Sequence, residues 1–397
     1  MYHPTAPKIS ALLIFLLSLS GCGSESPESP LSEEALDARK GEDGRLVIIG
    51  GGLQPENTPV YQAVLDGRWG PGPLCVLPTA SGVPTSAMDE YVDAFNRLGG
   101  PGTAQGILLT VDNGQEAGSE AMATRLKACS GFFFTGGVQS RIMEVFLPGG
   151  EPTLAFVALW ERFKAGAVVS GSSAGAAIMT DPMIADGSSP GALAEGIRYD
   201  EGEGVLFEEG MGFLKEGIVD QHFLARGRWA RLLVAVLGSE TDSIGFGIDE
   251  NTALVVEGDS AQVVGESGVV FLDARMATLE NDGNGGYGGR TFLLGRGDMV
   301  DLLTGEVRRE PSKLPLPQTG APFGSPDADL FSPWTLLHVL SEFAAAPDSR
   351  LTFHQEGHFL EFRKEPTFEA RSWDEFGVEG TPLGLSLGPL VLSVWRE

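Results

Sequence analysis

Within "VVSGSSAGAAIM", residues 168–179, three serines occupy four positions among small residues. Gly171-Ser172-Ser173-Ala174-Gly175 spells G-x-S-x-G with Ser173 at its centre, after the apolar "AVVS" and before the helix-prone "AAIM". A serine on a sharp strand-to-helix turn is a nucleophile elbow, and such a turn needs small residues at its flanks. Ser170 and Ser172 lack glycine two positions away on both sides, so Ser173 is the candidate nucleophile. A serine hydroxyl attacks only with a base beside it. The histidines are His3, His222, His338, His354 and His358. His222, in "GIVDQHFLARGRWARLL", follows a short apolar run and so falls at the carboxyl end of a strand, where open α/β sheets place their ligands. His354 and His358 flank Gly357 in an alternating pattern and read as hairpin side chains; H-Q-E-G-H is not the zinc motif H-E-x-x-H, and no metal is expected. The acid that orients the base is left among Asp220, Asp249 and Glu250. The chemistry such a set would perform is acyl transfer through serine, with no cofactor.

These residues need elements to hold them. From Arg45 onward, short β-branched or apolar runs end in glycine or turn residues: "LVIIGGG", "LCVLPTAS", "ILLTVD", "GFFFTGG" and "AVVSGSS". Near-continuous apolar strands imply a sheet buried on both faces. Stretches of helical spacing alternate with them, as in "TSAMDEYVDAFNRLGG", so the pattern predicts an α/β fold with a doubly wound, mostly parallel sheet. Later segments, from "IGFGIDENTALVV" to "LLTGEV", predict antiparallel hairpins covering one edge. The catalytic domain is read as residues 45–310 and residues 311–397 as a small C-terminal appendage of unassigned role. The glycines at 50 and 52 fail as a dinucleotide fingerprint, because Pro55 stands where G-x-G-x-x-G needs glycine.

The chain has 397 residues and a formal net charge of −27, from 27 Lys plus Arg against 54 Asp plus Glu, which repels nucleic acid. "MYHPTAPK" followed by "ISALLIFLLSL" reads as a signal peptide over residues 1–21, too short to span a bilayer. Leu19-Ser20-Gly21-Cys22 resembles the bacterial lipobox, which implies lipidation of Cys22, export and anchoring at a membrane, the outer one in a Gram-negative host. Residues 22–44 form an acidic, Ser/Pro-rich tether. Cys75 and Cys129 are left unassigned, with two free thiols the favoured reading.

Four blocks in order, "FFFTGGVQSRI", "AGAVVSGSSAGAAIM", "IVDQHFLARGRWARLL" and "GFGIDENTALVVEG", resemble the motifs of the cyanophycinase family, relatives of aspartyl dipeptidase with a class I glutamine amidotransferase-like fold. The resemblance implies Ser173 as nucleophile, His222 as general base and Glu250 as the orienting acid. It implies an oxyanion site at Gly136, Gly137 and the N–H of Ala174, and substrate contacts from Gln139, Gln221, Arg226, Arg228 and Arg231. The implied substrate is cyanophycin, a polyaspartate carrying arginine, or a related aspartyl or isoaspartyl peptide, cut to β-aspartyl-arginine dipeptides. Val138 departs from the Asp or Asn common there, which bears on specificity. A non-catalytic peptide-binding lipoprotein and an α/β-hydrolase-type esterase with a C-terminal histidine base are the alternatives, and a homodimer is left open.

Overall fold

The computed structural model describes residues 43–277 and 287–397. The signal segment, Cys22 and all but the last two residues of the tether lie outside the described residues. The chain opens with β1 (Leu46–Ile49), α1 (Thr58–Asp66), β2 (Leu74–Leu77), α2 (Pro84–Gly99), β3 (Ala104–Gly106), α3 (Glu120–Lys127), β4 (Gly131–Phe134), α4 (Gln139–Phe146), α5 (Leu154–Lys164), β5 (Val168–Ser172) and the short α6 (Ala174–Ala177). The five strands lie parallel in the order β3-β2-β4-β5-β1. Helices cover both faces: Val60 and Phe95 of α1 and α2 pack on Val47, Val76 and Phe133, whereas Leu126, Phe146 and Leu159 of α3–α5 pack on Ile48, Leu77 and Phe132. Each such side chain removed from water contributes about 1.5–3 kcal/mol, which is why these strands tolerate no polar alternation. The doubly wound α/β arrangement predicted from the alternating runs is the one observed.

The small β6 (Met183–Asp186), α7 (Ser189–Glu195), β7 (Ile197–Arg198) and β8 (Val205–Glu208) follow, then β9 (Ile218–Gln221), α8 (Trp229–Gly238) and β10 (Ile244–Ile248). Next come β11 (Thr252–Glu257), β12 (Ser260–Gly265), β13 (Gly268–Asp273), β14 (Tyr287–Gly295), β15 (Met299–Asp301) and β16 (Val307–Arg308). The hairpin β11–β12, with β15 and β16 beyond it, extends the first sheet past β1. Strands β6, β8 and β7 form a small three-stranded sheet, and the other strands form a second large sheet. There β9 and β10 run parallel, and β13 and β14 continue antiparallel into β17 (Leu314–Pro315), β19 (His358–Ser372) and β20 (Ser386–Arg396), in the order β17-β19-β20-β14-β13-β10-β9, with β18 (Arg350–Gln355) paired to β19. One face of this sheet, through Phe246, Ile248 and Phe271, joins the core of the first; the other packs on α8 and on α9 (Thr335–Ala345). The residues after 310 therefore complete a sheet that also holds β9 and β10, and His354 and His358 sit in the β18–β19 hairpin around Gly357.

Cys75 and Cys129 are joined in a disulfide, Cα atoms 5.8 Å apart, where two free thiols had been favoured. Cys75 sits in β2, and the end of α3 returns the chain alongside it as Gly131 enters register with Leu74.

Candidate active site

Ser173 follows β5 directly with φ 57° and ψ −108°, a conformation that costs a non-glycine residue about 1–3 kcal/mol and persists only where the surroundings fix it. They do so at both flanks. A Cβ on Gly171 would lie 2.4 Å from the Gly175 carbonyl oxygen, and one on Gly175 2.5 Å from that of Phe134, so the elbow admits only glycine at both positions. The Ser173 N–H donates to Ile49 O at 3.0 Å, tying the elbow to the end of β1.

His222 leaves β9 with φ 48°, and Glu250 follows β10. The Ser173 hydroxyl donates to His222 Nε2 at 2.8 Å, and His222 Nδ1–H donates to Glu250 Oε1 at 2.5 Å. Glu250 is thus the acid bonded to the imidazole, of the three that sequence left open. The glycines set aside as a failed nucleotide motif turn out to organise this meeting of two sheets. The His222 N–H donates to Gly50 O at 2.6 Å, and the Asn251 N–H to Gly51 O at 2.8 Å. A Cβ on Gly51 would lie 2.3 Å from His222 Cε1, and one on Gly52 2.9 Å from Glu250 Oε2. Buried Asn57 clamps the loop by donating to both the backbone and side-chain oxygens of Asn251, each at 2.8 Å. Sequence reasoning missed this loop; its one signal was three consecutive glycines directly after a buried strand.

The other two acids serve the frame. Asp220 is buried and receives a forked pair from Arg231, Nε to Oδ2 at 2.9 Å and Nη2 to Oδ1 at 2.5 Å. Arg231 is itself only 4% exposed and also donates to Gly187 O, so it is corrected from substrate contact to structural partner. Helical residues near a strand end look alike in sequence whether they face a ligand or a buried carboxylate. Asp249 is fully buried and accepts from Ala225 N–H and from the Ser267 hydroxyl.

Arg226 is exposed, and its side chain has no hydrogen-bond or ion-pair partner among the described residues. Arg228 donates to Gln221 O at 2.7 Å, and its burial lowers its pKa to about 10. Gln221 Oε1 lies 3.5 Å from Ser173 Oγ. Gln139 spends its amide donor on Ala185 O at 2.8 Å, and Val138 stands 47% exposed beside it. Gly136 lies against Ser173, since a Cβ there would meet the serine Cβ at 3.3 Å. The N–H groups of Gly136, Gly137 and Ala174 have no acceptor among the described residues. Burial first, then the positive charges of Arg226 and Arg228, hold the His222 pKa below that of ordinary imidazole against the opposing pull of Glu250. The imidazole is therefore neutral near pH 7 and able to take a proton. His338 is exposed on α9, His354 pairs with Glu397 at 3.2 Å, and His358 bonds the Glu356 carbonyl, so the C-terminal base that the esterase reading needs is not the histidine at Ser173.

A serine held in a strained elbow and hydrogen-bonded to a neutral, carboxylate-anchored imidazole is equipment for hydrolysis by way of an acyl-enzyme. Residues 46–264 match the model of peptidase family S51, and the chain belongs to that family and is a serine-type peptidase. It is 32% identical over 243 residues to a cyanophycinase of Synechococcus elongatus, covering 59% of this chain and 71% of that one. It is likewise 32% identical over 241 residues to a cyanophycinase of Trichormus variabilis, covering 60% and 76%. The crystal structure of a peptidase from an acI-B1 actinobacterium superposes with a TM-score of 0.46 at 20% identity, over 60% of this chain and 94% of the other.

Proposed function

We propose that this peptidase hydrolyses cyanophycin or a related isoaspartyl peptide by way of Ser173, His222 and Glu250. The hydrogen-bonded chain from Ser173 Oγ to His222 Nε2 and from Nδ1 to Glu250 carries the reading. His222 takes the serine proton as Oγ attacks the amide carbonyl, the oxyanion is met by the N–H of Ala174 with Gly136 and Gly137, and the imidazolium returns its proton to the leaving amine. Water, activated by the same imidazole, then releases the acyl group. Gln221, Arg226 and Arg228 line the approach and suit the carboxylates of such a substrate. The 32% identity to cyanophycinases supports the substrate class. Export and anchoring through Cys22 belong to the same proposal, and the Cys75–Cys129 disulfide fits an oxidising compartment.

The experiment is hydrolysis of purified cyanophycin by the protein and by Ser173→Ala, with dipeptide release followed by mass spectrometry. Release by the first and a loss of several orders of magnitude in the second is the expected result. No release from the folded wild type overturns the substrate, and full release from the variant overturns the nucleophile. A peptide-binding role without cleavage would show as saturable binding and no products.

A further inference from the structure

Residues 328–335 lie beyond the matched family region, yet they close around the turn that carries His222. The Trp334 backbone N–H donates to Leu224 O at 2.7 Å, and its indole Nε1–H donates to Asp249 Oδ2 at 3.2 Å. Trp229 donates its indole N–H to Leu330 O at 3.0 Å and stacks on Phe331, ring centroids 5.7 Å apart and 4° from parallel. Gly227 has φ +58°, and a Cβ there would lie 2.1 Å from Phe331 O, so the two backbones touch. Asp249 is the joint between the two halves of this arrangement. Its Oδ1 accepts from Ala225 N–H at 2.8 Å, three residues after His222, its Oδ2 accepts from Ser267 and Trp334, and the next residue in the chain is Glu250. Because the carboxyl is fully buried, water cannot replace a donor that is removed.

We propose that Trp334 is a positioning residue: through Leu224 and Asp249 it holds the turn bearing His222 against the corner bearing Glu250, so the C-terminal segment helps set the alignment of the imidazole with Ser173. This rests on the reading of His222 as the base. A small displacement of such a base is costly, since reacting groups tolerate about 1 Å of misplacement at a price of up to about 100-fold in rate. The groups facing His222 are Ser173, Glu250, Arg226 and Arg228, none of which a change at Trp334 removes.

The test uses the full chain and a fluorophosphonate probe, whose reaction with Ser173 does not depend on the natural substrate. Labelling rates per folded molecule are measured across pH for wild type, Trp334→Phe, Ser267→Ala and the double variant. Trp334→Phe is expected to slow labelling about tenfold and to move its acid midpoint upward, because a loosened turn relieves the burial that holds the His222 pKa low. The effects of Trp334→Phe and Ser267→Ala should be non-additive, both acting on one carboxylate oxygen. A rate within twofold of wild type, or a fall of equal size at every pH, overturns the proposal. Should Trp334→Phe not fold, Ser267→Ala alone carries the same expectation and the same refuting result. A wild type that is never labelled at Ser173 refutes the serine mechanism itself, an outcome distinct from a labelled wild type matched by its variant.

Discussion

Replacing Gly51 by alanine perturbs His222 without changing any residue of the hydrogen-bonded chain. Gly51 has φ +110°, and the added Cβ would stand 2.3 Å from Cε1 and 2.4 Å from Nε2 of His222. Ordinary carbon contacts begin near 3.4 Å, so the imidazole or the loop has to retreat by about 1 Å. The His222 Nε2 to Ser173 Oγ distance is now 2.8 Å, and a shift of that size takes it out of hydrogen-bond range or turns the ring off Glu250. The loop cannot yield instead, because Gly50 O and Gly51 O are both acceptors for the backbone around His222 and Asn251. Misplacement on this scale costs about 100-fold, or about 2.7 kcal/mol of transition-state stabilisation. The assay is steady-state hydrolysis of the peptide substrate, with circular dichroism and thermal melting to establish the fold of the variant. The expected result is a fall of about 100-fold or more in kcat/KM with native secondary structure retained. A folded Gly51→Ala protein with kcat/KM within threefold of wild type would refute the argument that this glycine exists to admit the imidazole.

Three further outcomes follow from the same geometry. His222 must be neutral to accept a proton, and its lowered pKa keeps kcat/KM at full value until the pH falls through that depressed value; Arg226→Gln removes a neighbouring positive charge, so the acid limb of the profile should move to higher pH, and a limb that stays or moves down contradicts the assignment. Lys313 is buried against Asp298 Oδ1 at 2.8 Å and the Ser386 hydroxyl at 2.7 Å, so Lys313→Met strands a buried carboxylate and should destabilise by about 3–5 kcal/mol in denaturant titration, whereas a change under about 1 kcal/mol would mean the pair is dispensable. The Cys75–Cys129 bridge closes a loop of 54 residues' separation, so the double alanine variant should lose about 4 kcal/mol on the loop-entropy account, and equal melting of the two proteins would exclude a bond in the native state.

The elbow was legible in sequence because its five residues are contiguous, and Gly171 is demanded by the Gly175 carbonyl oxygen within the same turn, although Gly175 answers to Phe134 on the neighbouring β4. The parallel core was legible for a similar reason, since "LVII", "LCVL" and "GFFF" are buried at every position. The second sheet was not. "IVDQ" and "IGFGI" are short strands buried like those of the first sheet, and only the pairing of β9 with β10 and of β10 with β13, far along the chain from β1 and β5, decides which sheet receives them. Arg231 was misread because its partner, Asp220, lies on a different element, and a buried arginine–carboxylate fork leaves no mark on helical periodicity. The cysteine pairing was hidden likewise, being set by the parallel register of β2 and β4. Residues 311–397 supply β17, β18, β19 and β20 of the sheet that holds β9 and β10, so removing them would open that sheet.

Ser173 hangs from one sheet while His222 and Glu250 hang from the other, and the glycine loop after β1 bonds the backbone at His222 and at Asn251. On the proposed mechanism, hydrolysis at full rate is therefore a conjunction that requires both halves of the molecule. On that mechanism, a chain whose second sheet has opened carries Ser173 without His222 beside it. Turnover in this protein thus doubles as a report that both sheets have docked.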